Sequence, residues 1–571
     1  MDLFDDECQW PRRLLHIPSM TSYEWRPGDW YGDFQKPKYS ILSYTWGRWE
    51  IRDPSTLQHV RPIQIHGIAW EVPRVDPEAF TDDEFLAVIR DTASPHPEVV
   101  DSEHVDFLWL DVACIHQSDE EEKAKEIGRQ AIIFRGASHG YIWIRQSKEF
   151  IRQWCEDFDK AFAVLTTDAF KTTDHGAWTS CLIDLIQKLF SDAWFSSLWT
   201  LQEAFLRPTA TFIFKDADKN SMDHCTLKMI SDALVAIKES LTSTEGIRQL
   251  DSALALRRLI DEIGFVGYGS GNLMVENHMA ENPMALLAAS HGRTASRVED
   301  RVYGIMQIFD VSVGRSATGA ESGHEYTLLE LEEQLGTAIL LKHPILSQLH
   351  VHTVPVDMGT AWRFSQRSTV PERTKVFTNN DLCAVSKLSV QRLDENVLIG
   401  EFSGKTASFQ RFASRLAKDW PHSWNLNDTS IYLDATDNTG LESDVPHAGT
   451  GTLQTAAWLS KHSPQTHILL LALKTSNDPM APRDNPWAWA LGILMHPTQI
   501  QLSRGYTDFW RRQGIFIWDV RYKRSAARAS SLGFVKALLH EIENLPEDIF
   551  KACPYLIGED EMWSETRGYF G

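Results

Sequence analysis

The chain has 571 residues, 43% of them hydrophobic and 23% charged, a globular composition with length for about three domains. A formal net charge of -22 repels polyphosphate at long range and argues against a generic nucleic-acid-binding surface. The 21 tryptophans are scattered over the chain without a fixed period, so propellers and solenoids gain no support.

Seven cysteines, at Cys8, Cys114, Cys155, Cys181, Cys225, Cys383 and Cys553, are odd in number, widely spaced and free of Cys-x-x-Cys pairs. That pattern suits a reducing compartment and argues against structural zinc, so no metal is expected. The opening MDLFDDECQW is acidic where a secretory signal is basic and then apolar, and no apolar run reaches the ~18 residues of a membrane span. The expected location is cytoplasmic, with no membrane span.

In chain order, YSILSYTWG (39–47) reads as a β-strand that breaks at Gly47. PIQIHGIAWEV (62–72) is hairpin-like, turning at His66-Gly67, and a helix follows around Phe80 to Arg90. FLWL (107–110) is a short continuous apolar run, the signature of a strand buried on both faces, with Asp111 at its carboxyl end. Ser118 and Glu121 match a capping box that opens a helix with the stripe Ala124, Ile127, Ala131 and Phe134. YIWI (141–144) is the next buried strand, so strand, helix and strand form a βαβ unit with a parallel sheet. A helix near Leu182 to Phe190, a turn at Asp192-Ala193-Trp194, a helix over Trp199 to Leu206 and the strand TATFIF (209–214) extend the pattern.

The first domain is placed at 1–215 and a helical middle region at 216–345, with polar, Gly-containing loops near 267–282 and 311–325. A β-rich C-terminal region at 346–571 is marked by VLIGEF (397–402), HILLLAL (467–473), ALGILM (490–495) and GIFIWDV (514–520), with a loop around 435–452. Basic residues Arg504, Arg511, Arg512, Arg521, Lys523, Arg524 and Arg528 alternate with Tyr506, Phe509, Trp510, Trp518 and Tyr522. A strand pair with a solvated basic face explains them better than a base-stacking surface, so no nucleic acid is expected as a partner.

YSILSYTWG, then WLDVACIHQSDEEEKAKEIGRQ (109–130), then WFSSLWTLQEA (194–204) resemble, in order and spacing, the three signature blocks of the fungal heterokaryon-incompatibility (HET) domain. PRRLLHI (11–17) and RTASRVEDRVYGIMQIF (293–309) resemble that family's usual setting, while His116 stands where the family more often has Asn and Ser197 where it often has a basic residue. The HET domain is in turn similar to Toll/interleukin-receptor (TIR) domains. The resemblance therefore implies an α/β fold with a TIR-like, flavodoxin-like parallel sheet. Some TIR domains hydrolyse NAD at the nicotinamide ribose, using a glutamate at the position that Glu203 would occupy.

Open parallel sheets bind ligands beyond the carboxyl ends of their strands, where Ser43, Tyr44, Trp46, Gly47 and Asp111 are expected to line a nucleotide site. Trp199 and Glu203, four apart on a helix, share a face, so an indole could stack on a flat ring beside a carboxylate. Cleavage of a glycosidic bond passes through an oxocarbenium-like state that such a carboxylate stabilises. The alternative roles are ordinary: Glu203 as a helix glutamate satisfied by an arginine or by solvent, Asp111 as a strand-end cap for backbone amides, and both tryptophans as core. Cys114 with His116 invites a thiol-base pair, but residues two apart in a loop have no guaranteed geometry, and no third orienting residue is evident.

The resemblance implies a cell-death or immune effector and a candidate NAD glycohydrolase, with Glu203 as its catalytic residue, NAD as substrate and no cofactor required. Its expected partners are further copies of the chain on activation and a protein trigger. The alternatives are a non-catalytic signalling module that acts by homotypic assembly, and an accessory enzyme of a specialised metabolic pathway.

Overall fold

The computed structural model describes residues 9–47, 49–51, 53, 55, 60–93, 104–166, 175–214, 226–243, 251–263, 282–375, 377–394, 397–419, 430–435, 452–475, 487–503, 505–519 and 563–571. The chain divides into two compact units, one of residues 1–280 and 286–331, the other of residues 281–285 and 332–571.

The first unit is built on an eight-stranded sheet. Its strands are β1 (Arg13–His16), β2 (Thr21–Arg26), β3 (Trp30–Tyr31), β4 (Phe34–Gln35), β5 (Tyr39–Ser43), β6 (Phe107–Trp109), β7 (His139–Trp143) and β8 (Thr211–Ile213), in the spatial order β4-β3-β2-β1-β6-β5-β7-β8. The β6, β5, β7 and β8 strands run parallel, as expected of apolar runs buried on both faces. All five residues of β5 are buried. The sheet as a whole is mixed, which corrects the expectation of a purely parallel one: β1 pairs antiparallel with β6 and carries the β2-β3-β4 meander outward.

The helices of this unit are α1 (Asp82–Ala93), α2 (Asp111–Cys114), α3 (Glu120–Ile127), α4 (Gln130–Gly136), α5 (Lys148–Thr166), α6 (His175–Phe190), α7 (Ala193–Ser196), α8 (Leu198–Leu206), α9 (Leu227–Ser243) and α10 (Asp251–Ile263). One apolar core gathers the β1, β5 and β6 side chains with Phe85, Val88, Ile89, Ile133 and Phe134. A second gathers Ile142 and Ile144 with Trp154, Leu182, Ile186, Trp194 and Leu234. Helices α11 (Pro283–His291), α12 (Asp300–Met306) and α13 (Leu328–Lys342) follow along the chain.

Three local expectations fail for identifiable reasons. The hairpin at 62–72 does not form, because the His66 backbone bonds to β2 instead: His66 N–H donates to the Met20 carbonyl at 2.8 Å and Ser22 N–H to the His66 carbonyl at 2.8 Å. The cap of α3 is Asp119, whose carboxylate accepts from the Glu121 and Glu122 amides at 2.9 and 3.0 Å, rather than Ser118. The single helix expected through Phe134 is two, broken at Gly128, where an added Cβ would lie 3.0 Å from that of Ser316. The segment 267–281, the segment 436–451 and the basic residues 504 and 521–528 lie outside the described residues.

The second unit is dominated by another eight-stranded sheet. Strands β13 (Val397–Ser408), β15 (His467–Thr475), β16 (Trp487–Leu502), β17 (Gly505–Asp519) and β18 (Ser564–Phe570) pair in a ring, since β13 meets both β18 and β15. Strands β11 (Leu382–Ala384), β12 (Lys387–Asp394) and β14 (Ser430–Leu433) attach to it, beside the small pair β9 (Val351–His352) and β10 (Ser368–Thr369) and the helices α14 (Phe409–Asp419) and α15 (Thr452–His462). Ring closure removes the free edges of a sheet and buries side chains inside it. Gly492 on β16 faces the Phe516 ring and the Leu469 carbonyl, with no room for a Cβ. Gly492→Ala is therefore expected to cost about 1–3 kcal/mol in urea unfolding, and an unchanged midpoint would contradict this packing.

Of the supposed basic face, Phe509 and Trp518 are core residues and Arg512 is wholly buried, while Tyr506 is exposed. Burial of Phe509, Arg512 and Trp518 takes them off the surface, so these residues form no continuous stacking surface.

Candidate functional site at the strand ends

β5 and β7 lie side by side where the parallel order reverses, with β6 on one flank and β8 on the other. Chains leaving such neighbouring strands diverge, which opens a crevice beyond their carboxyl ends. Ser43 closes β5 at that position. Its hydroxyl donates to Glu203 Oε2 and accepts from Trp194 Nε1 at 2.7 Å. The Trp194 indole is wholly buried, edge-on to Phe195 and Phe212, so it fixes the serine oxygen and leaves the hydroxyl proton for Glu203.

One turn past β6, Asp111 collects three donors: the Tyr44 hydroxyl at 2.8 Å, the Trp46 indole and its neighbour's amide, Val112 N–H, at 2.7 Å. Burial raises the Asp111 carboxyl, and these three hydrogen bonds pull against it. Burial beside that carboxyl also holds the Tyr44 phenol well above its ordinary range, so it remains a donor. Glu203 is pushed up to about 8, first by burial and then by the charge of Asp111, against the opposing effects of the Ser43 hydrogen bond and Arg293. Burial thus favours the protonated form of this carboxyl at neutral pH.

The helix that carries Glu203 is held by distant segments. Leu198 N–H donates to the Thr294 carbonyl at 2.9 Å and Thr294 N–H to the Ser196 carbonyl at 2.8 Å. Buried Arg293 reaches the Ser197 carbonyl at 2.9 Å and Thr200 Oγ1 at 3.1 Å. Gln202 receives the Gln307 amide at 3.1 Å and donates to Gln130. The first of these bonds satisfies the Leu198 amide in the first turn of α8, whose Ncap residue Ser197 makes no side-chain cap.

The residues expected at the site fall into two linked clusters, Ser43 with Glu203 and Asp111 with Tyr44 and Trp46. Trp199 hydrogen-bonds to Asp300 instead, and Gly47 stands exposed in the loop with open space where its Cβ would be. Trp194 and Arg293 escaped the sequence reading. The tryptophan sits inside the third signature block, where it passes for a turn residue, and the arginine lies 90 positions after Glu203.

Cys114 and His116 make no pair. The thiol is buried against the Leu108 carbonyl and the Leu110 amide and is pushed up to about 12 by burial, while His116 Nδ1 accepts the Asp119 amide at 2.9 Å. Cys114 is expected to resist iodoacetamide in the folded chain and to react on unfolding, as peptide mapping would show; rapid native labelling would contradict it. Among the described residues no group of three His, Cys, Asp or Glu converges as a metal site, and no helix is long and apolar enough to cross a membrane.

The family model described as "Heterokaryon incompatibility protein (HET)" matches residues 39–203, beginning at the first residue of β5 and ending on Glu203. No curated protein and no solved structure shows significant similarity to the chain. By that match residues 39–203 of the chain form a heterokaryon-incompatibility (HET) domain.

Proposed function

We propose that the HET domain is a TIR-like cell-death effector module whose strand-end site hydrolyses NAD between nicotinamide and ribose, with Glu203 as the catalytic carboxylate. The observation that carries this reading is the hydrogen bond from Ser43 to Glu203, two residues 160 positions apart brought together at the crevice of a parallel sheet. In the reaction the bond from ribose C1′ to the pyridinium nitrogen breaks and its electron pair neutralises the ring. Water then bonds to C1′ and releases one proton, giving nicotinamide and ADP-ribose.

A carboxyl pushed up to about 8 favours its neutral form at neutral pH. The pyridinium ring of NAD is itself a cation, and a positive charge beside a carboxyl lowers its pKa. Substrate binding thus ionises Glu203, its proton passing to solvent, and the carboxylate then stabilises the charge as it moves to C1′. Tyr44, Trp46 and Asp111 on the neighbouring loops complete the proposed nucleotide-contacting set, while Gly47 and Trp199, also expected there, stand outside the two clusters. The second unit acts as sensor or restraint.

A second reading, signalling by assembly without chemistry, is favoured by the internal satisfaction of the cluster: Asp111 takes three donors, and Ser43 bridges Trp194 and Glu203. Such a cluster holds two loops in one shape, as an interface requires. Nicotinamide release from NAD by the purified full chain at high concentration, beside Glu203→Gln, separates the two. Release lost in the variant supports hydrolysis; no release from either supports assembly.

A further inference from the structure

A cavity of about 480 Å³ opens in the first unit, with Cys114 of α2 in its lining. Val112 links the cavity to the Asp111 cluster: Trp70 Nε1 donates to the Val112 carbonyl at 2.9 Å, and Val112 N–H donates to Asp111. Its walls come from four places in the chain. Arg12 and Arg13 project from the start of β1, Glu122 and Glu126 from α3, and the Trp70 and His116 rings, 4.6 Å apart, form an aromatic side; Glu24 of β2 stands at the rim.

We infer that this cavity binds a small zwitterion of the α-amino acid class. Its volume is that of a small-ligand pocket. Both signs of charge line it, so a purely anionic ligand meets Glu122 and Glu126 and a purely cationic one meets Arg12 and Arg13. A molecule with one group of each sign pairs with both. Glu126 supplies the ammonium end: the residue is only 2% exposed, its Oε1 takes the Arg12 amide at 3.2 Å and the Trp109 indole at 3.4 Å, and its Oε2 takes no donor among the described residues. A carboxylate at a cavity wall accepts hydrogen bonds from an ammonium group that enters the cavity.

The carboxylate end goes to the arginines. Arg12 Nη2 lies 3.0 Å from Glu122 and 3.5 Å from Glu24, and Glu24 Oε2 also accepts from Arg13 Nη1 at 3.1 Å, so a ligand carboxylate takes the place of half-exposed Glu24 at both guanidinium groups. Arg13 is already oriented, with its guanidinium 5.6 Å over the Trp70 ring and bonded to the Ser22 and Gly67 carbonyls. The amino-acid side chain then rests against Trp70 and His116. None of this depends on whether the strand-end site is catalytic.

Titration calorimetry of the full chain with L-phenylalanine, L-methionine and L-glutamine at millimolar concentration tests the assignment, together with the amine and acid analogues of whichever binds. At least one amino acid binds, and each analogue, lacking one charge, binds about tenfold or more weakly. Glu126→Gln, checked for folding by its thermal transition, weakens the amino acid by a similar factor; Glu122→Gln serves if that variant does not fold. Absence of binding by all three amino acids, or an amine or acid analogue that binds as well as its parent, would overturn the proposal.

Discussion

If the proposed NAD hydrolysis holds, Glu203→Gln is expected to lower nicotinamide release by about a hundredfold or more, the scale lost when one electrostatic contact to a developing charge is removed. The substitution preserves shape, since a glutamine oxygen still accepts from Ser43, so lost activity reports lost charge rather than a collapsed site. The same variant carries a second signature. The folded carboxyl sits at about 8 against an ordinary 4.5, so the native state holds its proton more tightly than the unfolded chain. That contribution to stability is fully present below about 4.5 and is lost as pH rises toward 8. Urea unfolding of the wild type should weaken over this window by on the order of a few kcal/mol relative to Glu203→Gln, which lacks the titration. Parallel pH profiles for the two proteins would show that Glu203 titrates normally and would remove the argument for ionisation driven by substrate.

The second large effect lies in the other unit and concerns stability alone. Arg512, wholly buried, binds both oxygens of Asp434 at 2.9 and 2.8 Å and reaches the Gln348 carbonyl at 3.2 Å and the His350 carbonyl; Asp434 also takes the His352 amide at 2.8 Å. Asp434→Ala strands a guanidinium in the interior and is expected to cost about 3–5 kcal/mol. Replacing both partners, with Asp434→Leu and Arg512→Met, should recover most of that, because the charge that needed a partner is then gone. Chemical denaturation of the full chain followed by tryptophan fluorescence measures both, and a single variant as stable as the wild type would mean that water reaches Arg512. Burial lowers the guanidinium pKa while Asp434 raises it, so the pair acts as one unit.

Local pattern determined the pieces. Continuous apolar runs produced β5, β6 and β7, and helical spacing produced α6 and α8, while Ser43, Asp111 and Glu203 were singled out by the resemblance of the three blocks to a family. Those signals are legible because side-chain periodicity and strand ends are properties of neighbouring residues. What the tertiary structure alone decided is pairing. Backbone groups that could have closed a hairpin at 62–72 bond to β2, and the sheet becomes mixed because β1 finds β6 some 90 positions away. The indole that orients Ser43 and the arginine that clips α8 are named by geometry, since nothing near Trp194 or Arg293 in the chain reveals the hydroxyl or carbonyl each will meet. In the second unit the ring closes only when β18, the last strand, meets β13 and packs the Phe570 ring over Gly400. Long-range hydrogen bonds and burial choose among many locally equivalent partners, and that choice depends on the whole packed interior rather than on any window of sequence.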